Sequence, residues 1–521
     1  MTRLAPLPTE RQQRPRPLAR IAPVALLLLA WSLLAGAAGL ALAMLATPVH
    51  AFGWALLVPA AAALGLAALV GLRTAAMLVA ARRAPGPGAP LPASDDRARV
   101  AILYPVADDF RADVVRRSAR QTHPDTRTVV LDDSRDPVVR RRIDALVAEG
   151  GVEVHRRAAR QGAKAGNLNA WLAAHGHEVE HVVVLDADQE AEPELVARAL
   201  ARAHRDPAIA VVQGAVRSRT GTTAFQRDFA PLFDRHARSQ LAARQALGVD
   251  AFCGRGALLE VAAVRACGGF PELVMEDTAL TIELARRGRR IVAAPEAVSF
   301  EDAPIDHAAF AVQFGKFTEG AVQLLAGAAG AAGDARLPVR RRLDLLLELL
   351  MPVAAAVVPT VLFAFAVAAA ATGAPPFPWQ LGLMLGALGV LPLLPAIRDR
   401  IRERGPLRAL AFAFRASMLY ASVGVVAVRA LVRVAISGRA RFRITPKAVA
   451  GGDRVQAVLR RAPEVLAAVA AVLLSTALAG APAAAMPFVG IAAAALAFGL
   501  RDASVPVRRP IAAVGAEPAD A

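Results

Sequence analysis

Three long stretches of this chain carry no Asp, Glu, Lys or Arg, and they constrain the fold more than any other feature. They cover residues 21–72, 349–397 and 465–500 of the 521-residue chain. A bilayer core of about 30 Å is crossed by about 20 apolar residues in a helix, so the first two stretches can each hold two spans. The pattern predicts an integral membrane protein with a charged globular insert at 98–345.

Breaks rich in Pro and Gly divide the uncharged stretches and set the predicted topology. The six predicted spans lie near 21–46, 51–72, 349–372 and 379–397, with a shorter pair on either side of Gly480–Pro482. Segment 400–436 is apolar in its middle, but arginines interrupt it, and an arginine inside hydrocarbon costs several kcal/mol. We therefore expect a helix in the membrane interface there, with a seventh span as the alternative.

The net charge of +17 argues for membrane flanks rather than for nucleic-acid binding. The basic residues cluster beside the apolar stretches, at 11–20, 82–83, 340–342, 398–408, 439–443 and 508–509. The positive-inside rule places such flanks in the cytoplasm. Two cysteines, Cys253 and Cys267, exclude a disulfide scaffold and suit a reducing compartment.

The insert alternates apolar runs with helical patterns, which predicts an α/β domain on a largely parallel sheet. The predicted strands are Val100–Tyr104, Thr128–Leu131, Val152–His155, Val182–Leu185 and Ile209–Val212. The predicted helices lie near 110–121, 137–149, 166–175 and 193–204. Ligands of open α/β sheets bind beyond the carboxyl ends of the strands, so the residues that follow the strands are the candidates for chemistry.

Acidic pairs follow two of these strands. Asp132 and Asp133 follow the second, and Asp186 and Asp188 follow the fourth. Residues i and i+2 of extended backbone point the same way, so Asp186 and Asp188 could share one cation. Mg²⁺ and Mn²⁺ favour such carboxylates together with substrate phosphates. Each pair alone also fits a simple turn, which Asp favours.

Two further motifs fit a reaction with a diphosphate. The small-residue segment Arg160–Asn169 opens a helix and contains Lys164. A helix N-terminus beside a lysine suits phosphate oxygens, although a solvated lysine is the plainer alternative. Glu276 and Asp277 precede a later helix. Asp277 fits a general base, and a helix N-cap is its alternative role.

In chain order, Phe252–Gly254 lies between the Asp186/Asp188 pair and Glu276-Asp277. The order of these motifs resembles that of the processive family 2 glycosyltransferases, which include bacterial cellulose synthase and its relatives. The resemblance implies a GT-A-type α/β domain inserted in an α-helical transmembrane region. It makes Asp277 the catalytic base. It assigns nucleotide-sugar binding to five residues, two of which (Asp186 and Asp188) also hold Mg²⁺ or Mn²⁺: Asp132, Asp133, Lys164, Asp186 and Asp188.

Two segments extend the resemblance beyond the insert. Gln313–Phe317 occupies the place of the family's Gln-x-x-Arg-Trp acceptor motif, and residues 442–447 are similar to its Phe-x-Val-Thr-x-Lys gating loop. The implied acceptor-binding residues are Glu276, Gln313, Lys316 and Phe317, and the implied gating-loop residues are Phe442, Ile444, Thr445 and Lys447. Lys316 and Phe317 replace Arg and Trp of the family, a departure that bears on the acceptor and on processivity.

With these motifs in place, the chain divides into nine predicted segments. They are a cytoplasmic N-terminal segment (1–20), two transmembrane helices (21–80), the GT-A domain (98–305), amphipathic interface helices with the acceptor motif (306–345), two transmembrane helices (346–397), an interfacial helix (398–436), the gating loop (437–450), two transmembrane helices (463–500) and a cytoplasmic tail (501–521).

The resemblance implies an inverting glycosyltransferase of the bacterial inner membrane with a cytoplasmic catalytic domain. It would polymerise a nucleotide sugar, UDP-glucose by analogy, into a β-linked polysaccharide and translocate it. Its partners would be the growing glycan, membrane lipids and membrane or periplasmic subunits. The alternatives are a non-processive transferase that adds one sugar to a lipid carrier and, from a different class, a transporter or channel with a regulatory insert.

Overall fold

The computed structural model describes residue 36 and residues 51–84, 97–219, 221–327, 334, 336–371, 379–447 and 454–503. For 51–56, 379–384, 454, 457 and 503 only the backbone is described. The predicted first span at 21–46, the N-terminal segment and most of the C-terminal tail lie outside the described residues.

Eight strands form one sheet in the insert. In chain order they are β1 (Val100–Val106), β2 (Thr126–Asp132), β3 (Glu153–His155), β4 (His181–Val184), β5 (Glu190–Ala191), β6 (Ile209–Ser218), β7 (Ala257–Glu260) and β8 (Arg290–Glu301). Their order across the sheet is β3-β2-β1-β4-β7-β6-β8-β5. All five predicted strands are present: β1, β2 and β6 are longer than predicted, β3 is one residue shorter, and β4 is shifted by one residue.

The sheet is mixed, which corrects the prediction of a largely parallel one. That prediction is right for β3, β2, β1 and β4, which pair in parallel. Beyond β4 the pairing is mixed: β6 and β8 pair in parallel, whereas β7 runs antiparallel to both β4 and β6, and β5 runs antiparallel to β8. β5 and β7, of two and four residues, show no alternation of apolar and polar residues, and neither was predicted.

Helices cover both faces of the sheet. Those of the insert are α2 (Ala112–Ser118), α3 (Pro137–Ala148), α4 (Ala163–His175), α5 (Leu195–Ala203), α6 (Ala224–Leu247), α7 (Val261–Ala266) and α8 (Glu276–Arg286). Side chains alternate across β1, so Ile102 packs with α2, α3 and α5, whereas Leu103 packs with α4, α7 and α8. Two apolar cores therefore hold the sheet between two helical layers.

The remaining helices precede and follow the insert. They are α1 (Ala51–Arg83), α9 (His307–Gly327), α10 (Val339–Ala371), α11 (Trp379–Val390), α12 (Leu394–Arg404), α13 (Pro406–Ala421), α14 (Gly424–Ser437), α15 (Arg454–Leu459), α16 (Ala462–Ala479) and α17 (Met486–Ala503). A 3₁₀ turn at Leu391–Leu393 joins α11 to α12, and another precedes α17. In the membrane part, Leu64 of α1 packs against Leu362 and Phe365 of α10.

Five helical segments in the described residues are long and apolar enough to cross a membrane. They are Leu57–Arg83, Val339–Ala371, Pro406–Ser437, Ala462–Ala479 and Pro482–Asp502. The predicted span at 379–397 is not one continuous α-helix, because the 3₁₀ turn Leu391–Leu393 interrupts it after 12 residues. Pro406–Ser437 is long enough to span a membrane, and a turn separates α13 from α14 within it. The interfacial position predicted for this segment stays a prediction.

Buried ion pairs join the membrane helices to the insert. Arg73 of α1 donates to Asp344 of α10 at 2.8 Å, and Arg244 of α6 pairs with Glu348 of α10. The side chains of Arg73, Arg244 and Asp344 are 10% exposed or less. Breaking a buried pair by removing one partner typically costs about 3–5 kcal/mol, so these contacts fix α1 and α10 against α6.

Candidate active site

A cavity of about 2480 Å³ opens at the carboxyl ends of β1 and β4 and continues between α1, α10, α11 and α17. Small-molecule sites usually measure about 300–1,000 Å³, so this cavity has room for more than one substrate. The predicted site residues that line it are Asp133, Lys164, Asp186, Asp188, Glu276, Asp277, Gln313, Lys316, Phe317, Phe442, Ile444, Thr445 and Lys447.

Asp132 is the predicted site residue that does not line the cavity. Its buried carboxylate accepts hydrogen bonds from the backbone N–H of Ser134 at 2.8 Å and from Arg156 Nε at 2.7 Å. Asp133 does reach the cavity, and Arg157 donates to both of its oxygens, at 3.0 and 2.6 Å. The structure therefore separates the pair into a turn-stabilising residue and a residue of the cavity wall.

Lys164 lies in the first turn of α4, which starts three residues earlier than predicted. Its ammonium donates to Asp186 Oδ1 at 2.7 Å and to the carbonyl of Gly254 at 2.8 Å, and it lies 3.6 Å from Glu276 Oε1. Burial acts to lower its pKa, but Asp186 and Glu276 outweigh burial and raise the pKa of Lys164 to about 12. The ammonium stays charged and ties three segments of the cavity wall together.

The Lys-Ala-Gly-Asn sequence is explained by close packing at the start of α4. A Cβ on Gly166 would lie 2.1 Å from the carbonyl oxygen of Gln161, so no larger residue fits without a shift. The side-chain amide of Asn167 donates to the carbonyl of Leu131 at 2.8 Å. These contacts fix the N-terminus of α4 to the end of β2 and thereby position Lys164.

Glu276 and Asp277 form the first two residues of α8. Met275 is the N-cap, so Asp277 does not have the capping role that was its alternative. Asp277 Oδ1 accepts from the adjacent N–H of Thr278 at 2.7 Å. Burial raises the pKa of both carboxyls, that of Glu276 to about 7, although Lys164 opposes the rise. A raised pKa makes a carboxylate a stronger proton acceptor, as a general base requires.

Asp186 and Asp188 fit a divalent cation by charge and ligand type. Asp188 is buried, and Lys447 Nζ, itself a cation, lies 2.8 Å from its Oδ2. The described residues contain no group of three His, Cys, Asp or Glu side chains able to hold a metal ion by themselves. A Mg²⁺ or Mn²⁺ ion here would therefore need additional oxygen ligands, and the phosphates of a substrate commonly supply them.

The acceptor motif and the 442–447 segment meet in the cavity. The ammonium of Lys316 lies 5.1 Å from the ring centroid of Phe442 and 5.7 Å from that of Phe317, within the range of cation–π attraction. Gln313 lies one helical turn earlier on α9 and also lines the cavity. The two segments, more than a hundred residues apart in sequence, form one wall.

Sequence reasoning missed Glu319, a carboxylate of α9 that is 1% exposed. It pairs with Arg433 of α14, accepts from the backbone N–H of Arg441 at 2.9 Å and lies 3.2 Å from Arg443 Nη2. These contacts anchor the start of segment 441–447, whose last residue, Lys447, contacts Asp188. A single glutamate on an amphipathic helix gives no sequence signal for such a role.

Charged residues beside the ends of β6, β7 and β8 were also missed. Arg255 donates to Glu301 at 2.8 Å and lies 3.8 Å from Asp186 Oδ2. Arg219 donates to Asp302 at 2.8 Å. Burial acts to raise the pKa of Asp186, but Lys164 and Arg255 outweigh it, so the pKa lies well below its usual range. Glu301 is the last residue of β8 and Asp302 follows it, but β8 was not a predicted strand, so the rule used for the other acidic pairs was not applied to them.

A family model described as "Glycosyltransferase like family 2" matches residues 106–318. The matched segment is similar to a family 2 glycosyltransferase domain. It begins at the end of β1 and ends within α9, so it contains the acidic pairs, Lys164, Asp277 and the acceptor motif. The mixed GT-A-type sheet agrees with the fold class predicted from the sequence.

Curated proteins with similar sequences are named "Glucans biosynthesis glucosyltransferase H". That of Caulobacter vibrioides (strain NA1000 / CB15N) is 29% identical over 253 residues, which cover 43% of this chain and 38% of that protein. That of Rhodopseudomonas palustris (strain BisA53) is 27% identical over 261 residues, which cover 45% of this chain and 36% of that protein. The match spans less than half the length of either relative.

Among solved structures, the chain is similar to the mannosyltransferase PcManGT from Pyrobaculum calidifontis, in complex with GDP-Man and Mn²⁺. The sequence identity is 23%, and the TM-score is 0.47 over 69% of this chain and 97% of that chain.

The Glu319 contacts predict that Glu319→Gln loosens residues 439–447. Removing one partner of a buried ion pair costs about 3–5 kcal/mol, but Arg433 and Arg443 are 30% and 40% exposed, so we expect about 1–2 kcal/mol locally. Limited trypsin digestion of the purified protein should then cut faster after Arg439, Arg441 or Arg443.

Glu296→Gln is the matched control, because Glu296 pairs with Arg202 at 2.9 Å on the opposite side of the sheet. This variant should leave the rate of cleavage at 439–443 unchanged. Equal cleavage rates in the wild type and in Glu319→Gln would show that Glu319 does not hold the segment.

Proposed function

We propose that this chain is an inverting membrane glycosyltransferase that moves a sugar from a nucleoside diphosphate donor to an acceptor hydroxyl. The observation that carries the proposal is the cluster around Lys164, where one ammonium lies between Asp186 and Glu276, with Asp277 next along α8. A group that anchors the diphosphate end of a donor thus lies beside a carboxylate suited to activate the acceptor.

In the proposed reaction, Asp277 accepts the proton of the acceptor hydroxyl while that oxygen bonds to the anomeric carbon of the donor sugar. The bond from the anomeric carbon to the diphosphate breaks, and the nucleoside diphosphate leaves with the electron pair. A single displacement inverts the configuration, so an α-linked donor gives a β-linked product. Lys164 and Arg255 hold positive charge near the leaving diphosphate.

Asp186 and Asp188 would hold a Mg²⁺ or Mn²⁺ ion, which when bound would neutralise charge on the diphosphate. The curated relatives are named glucosyltransferases. UDP-glucose is the first donor to test. Lys447 contacts Asp188 directly, so this lysine and a metal ion would compete for one carboxylate.

Two acceptors are compatible with the cavity. The relatives' name and the segments 313–317 and 442–447 favour a growing β-linked glucan that is polymerised and translocated, with membrane lipids and partner subunits around it. The apolar lining between the membrane helices favours the second candidate, a lipid carrier that receives one sugar. In both, we place the protein in the bacterial inner membrane with residues 98–345 in the cytoplasm.

Product size tests this function. Purified full-length protein in lipid would be supplied with a panel of nucleotide sugars, and the products would be sized and their anomeric configuration determined. We expect release of nucleoside diphosphate and a β-linked product, either a polymer or a single-sugar lipid. No turnover of any nucleotide sugar would contradict the proposal and favour a transporter with a regulatory insert.

Asp277→Asn should abolish turnover and keep donor binding. Loss of a general base typically slows a reaction by about 10²–10⁴-fold. Because burial raises the pKa of Asp277, and only its deprotonated form accepts a proton, kcat/KM of the wild type should rise with pH through a limb above the ordinary Asp value of about 4. Near-normal turnover in this variant would reject Asp277 as the base.

Asp188→Asn should weaken metal-dependent binding of the nucleoside diphosphate. The substitution removes a charged ligand while keeping the shape of the side chain. Calorimetric titration of UDP with and without Mn²⁺ would show metal enhancement in the wild type and little in the variant. Asp206→Asn, at an exposed loop far from the cavity, should behave like the wild type. Equal metal enhancement in all three proteins would remove Asp188 from the metal site.

A further inference from the structure

The cavity runs along one face of α10. The lining residues Met351, Ala355, Val358, Leu362, Ala366 and Ala370 recur at intervals of three or four and so share one side of the helix. At 1.5 Å per residue this face is about 28 Å long. That length is close to the roughly 30 Å hydrocarbon thickness of a bilayer.

The opposite walls of this part of the cavity have the same chemistry. The described lining residues of α11, and those from Ala481 to Ala494, are Ala, Gly, Ile, Leu and Pro, so none has a side chain that donates or accepts a hydrogen bond. A sugar chain carries several hydroxyls per residue, and burying a hydroxyl without a hydrogen-bond partner is unfavourable. A hydrocarbon chain has no hydrogen bonds to lose when it is buried against these walls.

The lining of the cavity becomes polar where the cavity reaches the insert. Thr74, His236 and Gln240 line the transition, beside the ion pairs of Arg73 with Asp344 and of Arg244 with Glu348. Both arginines are already balanced by a carboxylate, so the transition suits an uncharged polar group better than a phosphate. Beyond it, the same cavity reaches Asp277, the proposed base.

We propose that the apolar part of this cavity binds the hydrocarbon chain of the acceptor, and that the acceptor is a membrane lipid with an uncharged hydroxyl-bearing head, such as a diacylglycerol. The inference rests on the proposed function, because it names the substrate class that Asp277 would deprotonate. The chain lies along α10, and the head crosses the transition to reach the donor. A base is useful for this acceptor, since a neutral hydroxyl must lose a proton whereas a phosphate has already lost its own.

Glycines in the cavity wall allow the proposal to be tested. A Cβ added to Gly386 of α11 or Gly490 of α17 would meet no atom within 4 Å, so Gly386→Phe and Gly490→Phe place a ring in the cavity without a backbone clash. Gly327 at the end of α9 is equally open but does not line the cavity. Gly327→Phe is therefore the matched control.

The four full-length proteins would be assayed in mixed micelles of dioleoylglycerol with UDP-[¹⁴C]glucose, or with the nucleotide sugar that the wild type turns over. We expect wild type and Gly327→Phe to move label into a chloroform-soluble product at rates within twofold of each other. In the two cavity variants, the rate of this transfer should fall at least tenfold. All four should bind UDP with the same affinity, which shows that the variants are folded.

A diacylglycerol with a diazirine at the end of one acyl chain provides a second measurement on the wild type. Irradiation should label peptides within 351–370 and 481–494, and unlabelled dioleoylglycerol should compete. Labelling confined to other helices would overturn the proposal, as would transfer to polyprenyl phosphate but not to dioleoylglycerol.

The outcomes separate this inference from the proposed function. If the wild type turns over a nucleotide sugar and both cavity variants form a water-soluble product at the wild-type rate, the lipid acceptor is rejected while glycosyl transfer stands. If the wild type neither binds nor turns over any nucleotide sugar, the proposed function itself fails.

Discussion

The ammonium of Lys164 is the contact on which the candidate site depends. It contacts Asp186 after β4, the carbonyl of Gly254 before β7, and lies within 3.6 Å of Glu276 at the start of α8. Without this cation, two carboxylates would face each other across an enclosed space, where repulsion between like charges is strong. One positive charge therefore allows the acidic ends of three segments to meet. Its own position comes from the packing of Gly166 and Asn167.

A second cation, Lys447, connects the membrane part to the same site. Lys447 lies far from Lys164 in the sequence, yet both lysines contact aspartates that follow β4. The segment before Lys447 is held by Glu319 of α9, the helix that also carries the acceptor motif. The acceptor wall and the lysine on Asp188 are therefore mechanically linked through one buried carboxylate. A movement of α9 would therefore shift the segment that places Lys447 on Asp188.

Much of this arrangement could be predicted from the sequence. Uncharged stretches long enough to span predicted four of the five long apolar helical segments of the described residues, and strands followed by acidic residues predicted residues that line the cavity. Asp132 and Asp133 show the limit, because adjacent residues on a turn point in different directions and only Asp133 reaches the cavity. Glu319 and Arg255 could not be identified, since their roles depend on partners that are distant in the chain. The short antiparallel β7 was missed for lack of periodicity.

The buried ion pairs between α6 and α10 have a consequence for how such a protein can change over time. Arg244 belongs to the catalytic domain, whereas Glu348 belongs to a membrane helix that follows it. If the domain were transplanted onto unrelated membrane helices, Arg244 would keep its burial but lose the carboxylate that balances it. Catalytic and membrane parts are thus expected to be inherited together, and recombination between distant relatives would succeed only at junctions that keep both partners.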